Sequence, residues 1–121
     1  MKKLFTAVFI FLSAMLFFAC HKAESLSVNL NYQATYKAAD SSEIKADFYS
    51  LSDNSVYFVK VHIGDETLTL TRAVSASGEC YVDEMQRTEF WTKGETAFIE
   101  ELGQDGSGTG KRINMTETKV K

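Results

Sequence analysis

From Leu26 onward apolar side chains recur at every second position, and a period of two restricts a chain to strands that bury one face. Leu26, Val28, Leu30, Tyr32, Ala34 and Tyr36 alternate with mostly polar residues. Residues 37–42, with Asp40 and Ser41, read as a turn before a second strand around Ile44, Ala46 and Phe48. Asp53-Asn54 turns the chain again, Tyr57, Val59, Val61 and Ile63 resume the alternation, and Gly64-Asp65 leads into a strand holding Leu68 and Leu70. Further strands are expected at residues 78–83, 87–93, 96–102 and 111–118, with 103–110 as a flexible hairpin loop. No segment sustains an apolar period of 3.6. About eight short strands in a meander predict an all-β antiparallel barrel or sandwich, because such folds hide their strand edges; periodicity does not choose between the two.

The first 20 residues differ from the rest. Met1, Lys2 and Lys3 give a positive start, and residues 4–18 form an uncharged apolar run, the pattern of a secretory signal. A run of about 20 apolar residues would suit a membrane span, and this one is shorter. It ends at Phe17-Phe18-Ala19-Cys20, which resembles the lipobox at which bacteria cleave before a cysteine and attach lipid to it. Residues 1–19 are therefore expected to be a lipoprotein signal peptide, residues 20–25 the lipidated Cys20 and a polar tether, and residues 26–121 the barrel domain. His21 occupies the position where an aspartate would suggest inner-membrane retention, so an outer-membrane lipoprotein facing the periplasm is the expected location.

Without Lys2 and Lys3 the chain carries 11 Lys and Arg against 16 Asp and Glu, a net charge of −5. That balance disfavours nucleic acid and steers basic partners toward the surface. With Cys20 committed to lipid, Cys80 is the only other cysteine, so no intramolecular disulfide is expected; Cys80 itself is a candidate oxidisable thiol. Catalysis has little to draw on. The histidines are His21 in the tether and His62 in a strand, with no nucleophile elbow and no ligand spacing for a metal, and no cofactor is expected. Residues 106–111 are a glycine-rich run ending in Lys111, but the spacing is one residue short of a phosphate loop and Arg112 stands where Ser or Thr belongs.

The informative stretch is residues 75–97. A small polar turn, Ser75-Ala76-Ser77-Gly78, precedes Tyr81, and Phe90-Trp91-Thr92-Lys93-Gly94 precedes Ala97. The two loops are one hairpin apart, so an antiparallel barrel can place them at the same end. Residue types alone allow a plain reading as turn chemistry. Ser77-Gly78-Glu79-Cys80-Tyr81 and Phe90-Trp91-Thr92-Lys93-Gly94 also resemble the S-G-x-x-Y and Y-x-x-K-G motifs of the family of membrane-bound inhibitors of c-type lysozyme.

That resemblance implies an eight-stranded antiparallel barrel, a lipid anchor, and inhibition of a c-type lysozyme by a loop inserted into its active cleft. On the motif positions, Ser77 and Lys93 would meet the catalytic carboxylates, Gly78 and Tyr81 would shape the loop, and Gly94 and Trp91 would complete the contact. A homodimer is compatible with it. Two departures stand out: Ala34 replaces a common family cysteine, removing the usual disulfide, and Phe90 replaces the motif tyrosine. Phe90 is expected in the core, whereas Trp91 fits either core or interface. Two rival readings are a barrel holding another envelope or host ligand in its mouth, which an interior filled by Tyr32, Phe48, Val59 and Leu70 would disfavour, and a wall hydrolase, for which no acid and base can be named.

Overall fold

A computed structural model describes residues 24–103 and 110–118. Cys20, the apolar run and most of the glycine-rich loop lie outside them. Eight strands follow in order: β1 (Val28–Ala38), β2 (Glu43–Leu51), β3 (Tyr57–Ile63), β4 (Glu66–Ala73), β5 (Glu79–Val82), β6 (Thr88–Lys93), β7 (Thr96–Glu101) and β8 (Arg112–Glu117). Each pairs antiparallel with its sequence neighbour, and β8 returns to β1 through Tyr36↔Glu117, Lys37↔Thr116 and Ala38↔Met115. The sheet is thus a closed barrel, which resolves the choice that periodicity left open. No helix among the described residues is long and apolar enough to cross a membrane.

The period of two holds from Ala34 onward. Val59, Val61, Leu70 and Phe90 are fully buried, with Tyr36 and Ile44 each at 2% exposure. At the centre the Tyr36 ring meets Phe90 edge-on at 6.0 Å, and Phe48 meets Tyr81 likewise at 5.8 Å. Edge-to-face geometry sets the positive ring edge against the negative face. Burial of each such side chain contributes about 1.5–3 kcal/mol, which is the stabilisation available without a disulfide. Phe90 lies in the core, as its position suggests.

The first half of β1 departs from expectation. Leu26, Val28, Leu30 and Tyr32 are each at least half exposed. A register shift between Leu30 and Tyr32 swaps the faces, so Leu30 stands opposite Tyr49 and Val28 opposite Leu51 on the outside of the sheet. This half of β1 projects past the core beside β2, and Tyr32 does not fill the interior; Phe48, Val59 and Leu70 do. Because strands alternate in direction, the start of β1, the residue 52–56 turn, the residue 74–78 loop, the residue 94–95 turn and the end of β8 share one end of the barrel. Ser52 N–H donates to Ser27 C=O, and Glu117 N–H to Glu95 C=O, tying these segments together.

Candidate functional site

The loop between β4 and β5 carries Ser77 and Gly78, and the turn between β6 and β7 carries Gly94 directly after Lys93. Two features hold the first loop in shape. Gly78 has φ of +70°, and a methyl group there would lie 2.5 Å from the Thr92 carbonyl oxygen and 3.2 Å from Lys93 Cβ. The Ser75 hydroxyl also donates to the Gly78 carbonyl at 2.8 Å. Only glycine therefore lets this loop lie against the end of β6, which brings Ser77 alongside Lys93. The second turn is tighter: Gly94 has φ of +58°, and the Thr96 hydroxyl donates to the Lys93 carbonyl at 2.9 Å.

Ser77 and Lys93 are both exposed and border one groove of about 840 Å³ on the outer wall of β6, β7, β8 and β1. Strand register explains what lines it. Lys93, Thr96, Thr116 and Lys37 form one outward row across four strands, and Trp91, Phe98 and Asn114 form the next. Trp91 and Phe98 are stacked, with centroids 6.2 Å apart, and the Arg112 guanidinium covers Phe98 at 4.2 Å while bonding Glu100 at 2.8 Å. Trp91 is consequently a partly exposed outer-wall residue. Its indole N–H donates to Glu89, which also accepts from the Cys80 thiol.

Tyr81, buried in the core, donates its hydroxyl to Glu79 at 2.8 Å; it supports the loop from inside and is not displayed on the surface. Cys80 is also different from its sequence expectation. It is buried, and desolvation together with the Glu89 hydrogen bond pushes its thiol up to about 12. Oxidation chemistry requires a thiolate, so this cysteine is unsuited to it. His62 is a sheet-face residue: its Nε2 lies 3.0 Å from Asp47 Oδ2 and its Nδ1 3.0 Å from the Thr67 hydroxyl oxygen. No group of three or more metal-ligating side chains occurs among the described residues.

The family model of the membrane-bound lysozyme-inhibitor of c-type lysozyme (MliC) matches residues 36–107, more than half of the chain. The chain belongs to this family. Among solved structures, the fold is similar to that of Pseudomonas aeruginosa MliC, whose crystal structure is a complex with hen egg white lysozyme: 21% identity, 84% of this chain and 94% of the other covered, TM-score 0.55. No curated protein sequence matches the chain. Within this MliC-family barrel, the signals invisible in the sequence are the cross-strand rows. Lys37 and Thr116 are far from both motifs in sequence; Thr116 enters the groove through the pairing of β8 with β7, and Lys37 only through closure of β8 on β1.

Proposed function

We propose that this MliC-family protein inhibits a c-type lysozyme by presenting Ser77 and Lys93 to the enzyme's catalytic carboxyl groups. The observation that supports the reading is the close approach of Gly78 to Thr92 and to Lys93 Cβ, with Ser77 and Lys93 both exposed on the border of one groove. Such a glycosidase works through two carboxyl groups about 5 Å apart, one protonated and one ionised. An ammonium gains a charge-assisted hydrogen bond from the ionised carboxylate, and a hydroxyl both donates and accepts between the pair. Occupying both groups removes the acid and the nucleophile together. Gly78 and Gly94 set the backbone of the two loops, Tyr81 supports the first from the core, and Trp91 lies on the adjoining wall. Lipidation at Cys20, with the barrel held in the periplasm at the outer membrane, would place the inhibitor where envelope peptidoglycan is attacked.

Lysis of a cell-wall suspension by c-type lysozyme, with and without the purified barrel domain from His21 onward, tests this. Stoichiometric suppression is expected. Ser77→Ala and Lys93→Ala should each weaken inhibition by about 30-fold or more, the usual cost of removing one partner of a buried charged contact. A folded wild-type domain that leaves lysis untouched overturns the function, and undiminished inhibition by both variants overturns the mechanism.

A further inference from the structure

Between the strand ends at the loop-bearing mouth of the barrel lies a cup of about 330 Å³. Tyr32, Tyr36, Tyr57, Tyr81, Glu79 and Glu117 line it. The register explains the two carboxylates: Glu79 faces Thr92 and Glu117 faces Tyr36, so both point inward at the layer where the apolar core gives out. Their surroundings differ. Glu79 is bridged by Arg72 at 3.6 Å, and that guanidinium covers the Tyr57 ring at 5.3 Å. Glu117 accepts a hydrogen bond from the neutral Tyr32 hydroxyl, and no cation lies within ion-pair distance of it among the described residues.

Tyr36 supplies a second, independent observation. Its side chain is 2% exposed and lines the cup, yet its hydroxyl has no hydrogen-bond partner among the described residues. Burial, then the negative charge of Glu117 and Glu79, holds its ionisation above the ordinary range, so it remains a neutral hydroxyl with a free acceptor. The cup therefore offers one carboxylate without a counter-charge, an open hydroxyl oxygen and a wall of electron-rich rings.

We propose that this mouth is a receptor site for an organic cation, an alkylguanidinium or alkylammonium group, held by Glu117 and surrounded by Tyr32, Tyr36 and Tyr81. Aromatic faces attract cations through the ring quadrupole, and a carboxylate beside them fixes the charged head by hydrogen bonds. The volume admits a guanidinium with a short aliphatic stem. An anion meets two carboxylates against one arginine and is repelled. Such a group could come from a basic side chain of a protein partner or from a free small cation. The first source rests on the lysozyme reading, in which the cup, adjoining Gly94 and Thr92, becomes a second contact beside the loops.

Ethylguanidinium titrated into the purified protein, followed by NMR of the tyrosine rings, tests the site without any enzyme. Saturable shifts are expected for ethylguanidinium and none for the neutral isostere ethylurea, with Glu117→Gln weakening binding about tenfold or more. Glu79→Gln, checked for folding by thermal unfolding, gives a second variant should the first fail to fold, with weakened binding again expected. No saturable binding, equal binding of ethylurea, or binding unchanged in the folded variants overturns the proposal. Lysozyme affinity then separates the sources. Weaker lysozyme binding by Glu117→Gln identifies a partner side chain, unchanged lysozyme binding alongside lost ethylguanidinium binding identifies a free cation, and failure of wild type to bind lysozyme removes the inhibitor reading while leaving the cation result intact.

Discussion

Gly78 and Gly94 share a left-handed backbone conformation but not an environment. Nothing lies within 4 Å of a methyl group placed at Gly94, whereas at Gly78 the Thr92 carbonyl stands 2.5 Å away. Gly94→Ala is expected to cost about 1–2 kcal/mol, the penalty of the left-handed region for an L-residue. Gly78→Ala adds a backbone clash and should cost about 3 kcal/mol or more, separating Ser77 from Lys93 as it relieves the contact. Urea denaturation of the two variants checks the order, and inhibition should fall further for Gly78→Ala. The motif spacing makes these residues readable in advance, since a glycine after a small polar turn announces a positive φ. The role of Tyr81 is only half readable: its ring fits an alternating strand, but its bond to Glu79 depends on both side chains turning inward on β5.

Between strands, the outer face of β1 to β4 is laced by one polar ladder. Gln33 donates to Asp47 at 2.9 Å, and His62 joins Asp47 to Thr67. The His62 hydrogen bond, followed by that of Gln33, holds the Asp47 carboxyl below its ordinary value of 3.8. A carboxyl depressed in the folded state adds stability above its unfolded value and loses it as the pH falls through the folded one. Wild-type melting temperature should therefore drop more steeply below about pH 4 than that of Asp47→Asn, by an amount equivalent to under about 1 kcal/mol because the pair is partly solvated. Thermal scans across that range decide it. Strand order and most of the inward faces are legible from alternation because Ile44, Val59, Leu70 and Phe90 keep one phase. The outer half of β1 is not, because one extra residue at the shift between Leu30 and Tyr32 reverses the faces without any glycine or proline to mark it. Nor are the complete groove and mouth, whose β1 members meet those of β8 only when the barrel closes.

For the molecule as a whole, closure fixes which way the barrel points. The first strand begins at the same end as the residue 74–78 loop and the residue 94–95 turn, since eight alternating strands return every odd-numbered start to one rim. With an anchor at Cys20, residues 21–27 span at most about 25 Å when extended. A globular enzyme of one ordinary domain, about 100–150 residues, is roughly 35 Å across. Were Cys20 lipidated as proposed, the rim that carries Ser77 and Lys93 would face back toward the bilayer across a gap narrower than such an enzyme, and the barrel would have to swing sideways to admit it. Inserting ten flexible residues after His21 is expected to raise inhibition by the membrane-held form and leave that of the soluble domain unchanged, measured by lysozyme titration of vesicle-bound and free protein. Clearance above the membrane, as much as the chemistry of the loops, would then govern how fast a lysozyme is captured.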